Sequence, residues 1–224
     1  MSHTHFTRVW KLCYNQFNNL NLTEGTGLKY FYHGSNIPGI TQLEARSKLH
    51  NTEEKVVYLT DCLPYALFYI WDSEHNDCSG KHVTGWVKNG VAYYEEQFPE
   101  QLKTFYQGVT GSLYCISDNP NIKPVEGRDN LYYCPTDVSV SKVEQVFDVY
   151  EELLRYEAEG MLTVLRYNEQ SSERQEELIN LIASAIVQAN FYENNKAQRE
   201  FMKKHFGKAW EIAEKTSKFR FGWG

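Results

Sequence analysis

The sequence predicts an α+β fold, in which a mixed and mostly antiparallel β-sheet is followed by a helical C-terminal extension packed on it. Short apolar runs separated by Gly, Asn, Asp and Pro fill residues 27–150, which is typical of strands joined by turns. After Ser171 the apolar residues recur with the period of an α-helix instead. We expect one domain over residues 1–165 and the helical extension over residues 166–224.

The predicted strands follow one another along the first domain. They are expected at residues 28–32, 56–59, 113–116, 131–133 and 138–147. Two interruptions have a helical pattern, at residues 64–71 and 99–106. A further helix around residues 150–154 is expected to stop at Gly160, and the apolar run 162–165 then forms another strand.

Two helices are predicted in the extension. Ser172 and Gln175 match a capping box, which marks the start of the first helix. Its apolar face is formed by residues at helical spacing: Leu178, Ile179, Ile182, Ala185, Ile186 and Ala189. The second helix is predicted over residues 195–215, with Phe201, Ala209, Ile212 and Ala213 inward and the lysines outward.

Composition and charge narrow the class of protein. The 224 residues are 42% hydrophobic and 23% charged, which is enough to enclose a core, and 16 of them are tyrosine. No apolar run reaches the length of a membrane-spanning helix, and residues 1–14 show no signal-peptide pattern. The five cysteines are widely spaced and include no C-x-x-C pair, which indicates free thiols. We therefore expect a cytoplasmic protein without a membrane partner.

The first motif is Tyr-Phe-Tyr-His-Gly-Ser at residues 30–35. A strand that ends in His33 presents an imidazole at the strand edge. Gly34 has no side chain, so a ligand can approach the backbone amide and carbonyl beside that imidazole.

The second motif runs from residue 56 to residue 69 and combines a strand, a turn and a short helix. Tyr58 lies on the strand, and Tyr69 lies eleven residues later on the helix. Two tyrosine rings that face each other across such a turn form a slot for a flat aromatic ligand.

Together the two motifs resemble the His-Tyr-Glu group of NAD-dependent ADP-ribosyltransferases, which includes diphtheria toxin and the poly(ADP-ribose) polymerases. The shared pattern is Tyr-His-Gly-Ser at residues 32–35, Val-Tyr-Leu-Thr at residues 57–60 and Ala-x-x-Tyr at residues 66–69. Its order is also similar to that of the rifamycin ADP-ribosyltransferases. The resemblance covers about residues 30–150 and implies an ADP-ribosyltransferase-like split β-sheet core.

The resemblance implies a role for each matching residue. His33 would bind a ribose hydroxyl on the adenosine side of NAD, and the Gly34 backbone would hold the nicotinamide carboxamide. Tyr58 and Tyr69 would enclose the nicotinamide ring. Ser35 and Thr60 belong to the same motifs and join the set of NAD-binding residues. One position departs from the polymerase pattern: Ala66 stands where a hydroxyl residue is expected, which removes one contact to the carboxamide.

The resemblance also requires a carboxylate near the start of a late strand. Its task is to stabilise the oxocarbenium-like charge that develops when the glycosidic bond of NAD breaks. Glu144 is the first candidate, because Val-Glu-Gln-Val at residues 143–146 is followed by a predicted helix, as in diphtheria toxin. Asp137 is the rival, at the start of the run 138–140.

Other clusters give weaker predictions. His75, Cys78 and His82, with Asp72 and Asp77, are metal-ligand types, but their spacing does not match a zinc site, and we expect no metal. Glu95 and Glu96 are expected to form a solvated strand end. Patterns typical of P-loop, Rossmann, metalloprotease and α/β-hydrolase proteins do not occur.

The basic C-terminal segment is a separate feature in a chain of net charge −6. Residues 196–220 carry eight Lys or Arg against three Glu, interleaved with the aromatic residues Phe206, Trp210 and Phe219. Such a surface is either a solvated helix face or a binding face for a nucleic acid or an acidic protein partner.

The sequence thus predicts an enzyme that uses NAD as a substrate and transfers ADP-ribose to an acceptor that the sequence leaves open: a protein, a nucleic acid or a small molecule. Three alternatives stay open. The same pocket would serve removal of an RNA 2′-phosphate, a non-catalytic module would bind NAD or ADP-ribose, and a toxin-type or defence-type protein would act through the helical segment.

Overall fold

The computed structural model describes residues 29–50, 52–72, 75, 85–189 and 196–221. Its largest sheet contains β1 (Tyr30–Ser35), β3 (Ser47–Lys48), β4 (Lys55–Thr60), β7 (Gly111–Ser117), β8 (Lys123–Pro124), β9 (Leu131–Cys134) and β11 (Lys142–Val146). A two-stranded sheet pairs β2 (Gln42–Leu43) with β10 (Val138–Ser139). A three-stranded sheet contains β5 (Gly85–Lys88), β6 (Val91–Glu95) and β12 (Leu162–Leu165). The predicted α+β class is confirmed.

The helices contribute to the core on one face of the large sheet, and the last three lie at the C-terminal end of the described chain. They are α1 (Leu63–Leu67), α2 (Gln101–Tyr106), α3 (Val149–Ala158), α4 (Ser172–Gln188), α5 (Lys196–His205) and α6 (Gly207–Phe221), with a 3₁₀ turn at Tyr167–Glu169. Within the part of the chain that the structure describes, no helix has both the length and the apolar character needed to cross a membrane.

The largest sheet is antiparallel, and its strand order is β11-β7-β1-β4-β9-β8. β1 pairs with β7 along its whole length, from Tyr30 to Ser35. On its other side β1 meets β4 at one register pair, Tyr32 opposite Thr60. Beyond that pair the two central strands part, and we call this opening the seam.

The two faces of the large sheet are covered differently. On one face Tyr32, Leu113 and Cys115 join a large core that also includes the inward faces of the helices. On the other face Phe31, Tyr114 and neighbouring residues pack under the β2–β10 pair. Because the helices of the C-terminal extension share the first core, the extension packs on the sheet through buried apolar side chains.

Several predicted boundaries were wrong. The apolar run 138–147 is two strands, because the chain changes partner at its middle: the Val140 amide donates to Thr41, and the Ser141 amide donates to Cys115. The helix predicted over 64–71 ends at Leu67, so Tyr69 lies in the turn that follows α1.

The C-terminal helices also differ from the prediction. The helix cap of α4 is Ser171, whose Oγ accepts a hydrogen bond from the Arg174 amide at 3.2 Å, so the cap lies one residue before Ser172. The Gln175 side chain donates to the Tyr167 carbonyl at 2.8 Å instead of closing a capping box. The helix predicted over 195–215 is two helices, α5 and α6, with Phe206 between them. Gly207, a poor helix former, is the first residue of α6.

Three of the five cysteines lie in the described residues and are free and buried: Cys62, Cys115 and Cys134. Burial raises the pKa of the Cys62 and Cys115 thiols to about 11. These thiols are protonated at neutral pH, which makes them packing residues instead of nucleophiles. Cys13 and Cys78 lie outside the described residues.

Asp148 fixes the start of α3 to the neighbouring loop. Its Oδ1 accepts hydrogen bonds from the amides of Tyr150 (2.9 Å) and Glu151 (3.3 Å), and its Oδ2 accepts one from the amide of Gly108 (3.0 Å). We expect Asp148→Ala to lower the free energy of unfolding by about 2 kcal/mol, because the helix cap and the loop contact are both lost. Urea unfolding measures this loss. Asp148→Asn keeps one side-chain oxygen, and its free energy of unfolding should fall by less than half as much as that of Asp148→Ala.

Candidate functional site

A cavity of about 270 Å³ lies at the seam, and we call it the seam cavity. Its walls come from β1, the β2–β3 segment, β4, α1 with the following turn, and the start of β9. Of the residues predicted from the sequence, five line it: His33, Gly34, Tyr58, Thr60 and Tyr69. Residues from two motifs that lie about 25 positions apart are thereby brought to one concave surface.

His33 bridges the two strands where they part. Its Nδ1 lies 3.0 Å from the carbonyl oxygen of Tyr58. Because a carbonyl only accepts, the imidazole must donate from Nδ1 in this contact, which sets the neutral tautomer to the form with the proton on Nδ1. The half-buried His33 ring is thus held in one orientation at the cavity wall.

Gly34 lies directly against α1. A Cβ at this position would fall 2.1 Å from the Ala66 carbonyl oxygen and 3.0 Å from Cγ1 of Ile70. The backbone of β1 therefore approaches the helix more closely than any side chain permits. Ala66 itself is buried and lines the cavity, so the position where the polymerase pattern has a hydroxyl contributes a methyl group here.

The two predicted tyrosines border the cavity from different elements. The Tyr58 hydroxyl donates to the Lys48 carbonyl at 3.2 Å, which anchors the ring to the end of β3. The Tyr69 hydroxyl lies 3.0 Å from that of Tyr65, and these two rings meet edge to face at 5.5 Å. Burial, and then the neighbouring Tyr65, raise the pKa of Tyr69 far above its ordinary value, so its ring is neutral. Tyr65 was not predicted and is a third ring of this wall.

Ser35 and Thr60 use their hydroxyls within the protein. Thr60 donates to the Asn130 carbonyl at 2.6 Å and accepts from the Cys62 amide at 3.1 Å, which holds the end of β4 beside the start of β9 and of α1. The Ser35 Oγ accepts from the Ile37 amide at 3.1 Å and is outside the cavity lining. Thr60 is placed at the cavity wall, but both contacts show a structural use of its hydroxyl.

Neither predicted carboxylate lines the seam cavity. Glu144 lies on β11, opposite Leu113 of β7, which is itself opposite Gly34. Cross-strand partners share a face, so Glu144 is on the same face as Gly34, at a Cα separation of about 10 Å across two strand spacings. Burial raises the pKa of Glu144, and the nearby charge of Lys142 opposes that shift.

Asp137 is also placed elsewhere. It is exposed, and its Oδ1 accepts a hydrogen bond from the Ala45 amide at 2.8 Å. The carboxylate that does line the cavity is Glu44, which forms an ion pair with Arg46 at 2.8 Å. No sequence signal marks Glu44, because it reaches the cavity through the fold of the β1–β4 connection.

A larger cavity, of about 1200 Å³, adjoins the seam cavity, and we call it the outer cavity. Four residues line both cavities and form the boundary between them: Tyr58, Tyr65, Tyr69 and Leu131. The other walls of the outer cavity come from the β3–β4 turn, β5 and the β8–β9 hairpin.

Trp86 is a wall residue of the outer cavity that neither sequence motif includes. It lies on β5, in a hairpin whose turn residues Asn89 and Gly90 both have positive φ. Asn-Gly is the preferred pair for such a turn, and it is the sequence signal that indicates this hairpin. The Trp86 ring stacks on Tyr93 at 5.4 Å with the two planes only 6° apart.

The other predicted clusters, the two glutamates at the end of β6 and the aromatic residues of the basic segment, have structural roles. Glu96 is buried, not solvated as predicted, and it accepts hydrogen bonds from the amides of Leu102 and Tyr167, both at 3.1 Å. Glu95 forms a two-bond ion pair with Arg174 of α4. Trp210 and Phe206 of the basic segment are also buried, so among the described residues these rings pack in the core.

Among the described residues, no group of three or more His, Cys, Asp or Glu side chains is arranged to hold a metal ion. Cys78, His82 and Asp77 lie outside them.

Comparisons with known proteins add no relative to this description. No protein-family model, curated protein or solved structure matches the chain.

Proposed function

We propose that this chain binds NAD by its nicotinamide end in the seam cavity and transfers ADP-ribose to an acceptor. The observation that supports this best is that His33, Gly34, Tyr58 and Tyr69, all named by the sequence resemblance, line one cavity. The parting of β1 and β4 is compatible with an ADP-ribosyltransferase-like split sheet. The buried free thiols support a reducing, cytoplasmic location.

The cavity offers the groups that a nicotinamide ring requires. The rings of Tyr58 and Tyr69 stand on different elements and border the same space, which suits a flat aromatic ligand between them. Gly34 lines that space with backbone alone, and β1 has a single register pair with β4, at Tyr32. His33, held by the Tyr58 carbonyl, is oriented for a ribose hydroxyl.

In the proposed reaction the glycosidic bond between C1′ of the ribose and the nicotinamide nitrogen breaks, and the bonding electron pair leaves with nicotinamide. The acceptor's nucleophile forms the new bond to C1′ and gives up its proton. A carboxylate near the ribose would stabilise the positive charge that develops. Glu144 is on the same face of the sheet as Gly34 but outside the cavity lining, whereas Glu44 lines the cavity.

A module that binds NAD without turnover is the second candidate. The specific observation in its favour is that neither Glu144 nor Asp137 lines the seam cavity. Ala66 adds to it, because the missing hydroxyl weakens the hold on the carboxamide.

Release of nicotinamide from labelled NAD tests the proposal. We expect the release rate to fall at least tenfold in Tyr58→Ala and in Tyr69→Ala, because loss of one stacked ring removes about 1.5 kcal/mol or more of binding. Tyr58→Phe keeps the ring and is the matched control, with a rate within about threefold of the wild type. Release that is equal in all variants would contradict the site assignment, and NAD binding without release supports the module.

Replacing each glutamate with glutamine shows which carboxylate stabilises the ribosyl charge. In Glu144→Gln, lost release with retained NAD binding would support Glu144 as the stabilising carboxylate. If Glu144→Gln is unchanged and Glu44→Gln loses release, the acid that lines the cavity has that role. If neither variant changes, neither carboxylate stabilises the ribosyl charge.

A further inference from the structure

The outer cavity lies on the far side of the tyrosine wall from the seam, and the seam cavity alone is small. About 270 Å³ is at or below the size of cavity that holds a drug-sized ligand, roughly 300–1000 Å³. A dinucleotide therefore extends beyond it. The outer cavity is several times larger and begins at Tyr58, Tyr65 and Tyr69.

Trp86 forms a fixed aromatic platform at this cavity. The residue is 37% exposed, which is high for tryptophan. The stacked Tyr93 covers one face of the indole and holds the ring in place. The preceding residue, Gly85, packs its backbone closely against the Phe68 ring, since a Cβ at Gly85 would lie 2.6 Å from that ring. A platform that is ordered before binding loses little entropy when a planar base stacks on it.

Arg128 supplies a positive charge on another wall of the outer cavity. It lies in the turn of the β8–β9 hairpin, where its amide donates to the Val125 carbonyl at 3.2 Å and Gly127 has a φ of +70°. The side chain is exposed and forms no hydrogen bond or ion pair with another described residue. A guanidinium in this state binds phosphate oxygens in a two-bond geometry.

The charges around the cavity indicate a small ligand. Glu126 and Asp129 flank Arg128 in the same hairpin, and the chain as a whole has a net charge of −6. A polynucleotide, which needs a continuous basic track, is disfavoured by both. A single phosphate needs only the one guanidinium.

We propose that the outer cavity binds a nucleoside phosphate, with its base on Trp86 and its phosphate at Arg128. This ligand has two possible sources. It is either the adenylate half of NAD, in which case the inference rests on the proposed function, or a separate nucleotide that accepts ADP-ribose.

Titration with AMP, followed by calorimetry, tests the site. We expect the affinity for AMP to fall at least tenfold in Trp86→Ala and in Arg128→Ala, and to change little in Trp86→Phe, which keeps a ring. Lys123→Ala removes an exposed charge from β8 outside the cavity lining and is the control for Arg128. AMP that fails to bind, or binds all variants equally, overturns the proposal. So does a single-stranded oligonucleotide that binds far more tightly than AMP through Arg128.

Two further measurements are needed. One distinguishes the adenylate half of NAD from a separate nucleotide, and the other tests the nicotinamide site independently of the nucleotide site. Displacement of NAD by AMP assigns the site to the adenylate half, whereas simultaneous binding assigns it to a separate nucleotide. Nicotinamide alone probes the seam cavity, and its binding should fall in Tyr58→Ala and persist in Trp86→Ala. If nicotinamide does not bind while AMP does, the proposed function fails and the nucleotide site stands.

Discussion

Replacing Gly34 with alanine is expected to lower the free energy of unfolding by about 3 kcal/mol or more and to abolish nicotinamide binding. The added Cβ would lie 2.1 Å from the Ala66 carbonyl oxygen, which belongs to the backbone and cannot rotate away. Either β1 or α1 must shift, and overpacking of this kind costs about 1–3 kcal/mol even where side chains can adjust. The same shift moves the wall that carries Tyr65 and Tyr69. Urea unfolding and nicotinamide titration measure the two effects.

Gly207→Ala is the matched control for this prediction. A Cβ at Gly207 meets nothing within 4 Å, and the residue opens α6, where alanine is a better helix former. We expect its stability to be unchanged or slightly higher. If Gly34→Ala were as stable as Gly207→Ala, the close approach of β1 to α1 would be refuted.

Replacing Glu96 with alanine is expected to lower the free energy of unfolding by about 3 kcal/mol. The buried carboxylate accepts from the amide of Leu102 at the start of α2 and from the amide of Tyr167 in the 3₁₀ turn. Without it, two buried donors lose their partners, each at about 1–3 kcal/mol. The variant should therefore loosen the junction between the sheet domain and the helical extension. Hydrogen exchange at Leu102 and Tyr167, together with urea unfolding, reports this.

Two variants define the specificity of the Glu96 effect. Glu96→Gln keeps one acceptor oxygen and should lose about half as much stability as Glu96→Ala. Glu176→Ala removes an exposed carboxylate from α4 and should change stability by less than about 0.5 kcal/mol. An alanine effect at Glu96 as small as that at Glu176 would show that the two amides find other partners.

Local sequence signals predicted a strand well where the whole segment pairs with a single neighbouring strand. The strand predicted at residues 162–165 is β12, and Gly160, with a φ of +75°, separates it from α3. The prediction failed where one continuous apolar run pairs with two different strands. Residues 138–147 bond first to β2 and then to β7, and no pattern of side chains reveals a change of backbone partner.

The candidate site divides in the same way. His33 and Gly34 are neighbours on one strand, and Tyr58 and Tyr69 lie eleven residues apart in one strand–turn–helix segment, so motifs within each segment indicate them. The cavities are also lined by residues from three other parts of the chain: Glu44, Trp86, and the pair Arg128 and Leu131 of the β8–β9 hairpin. Their residue types are ordinary, and only their placement makes them wall residues.

The α+β class, most strand positions and the two motifs can be read from the chain alone, because turn residues and side-chain periodicity act over a few neighbouring positions. Three features required the folded structure: β1 and β4 part after one register pair, Glu144 lies two strands from Gly34, and Trp86 and Arg128 line a second cavity. These features depend on strand order and on the packing of α1 against Gly34. Both arise from contacts between residues far apart in the chain, whose burial is decided by the whole core.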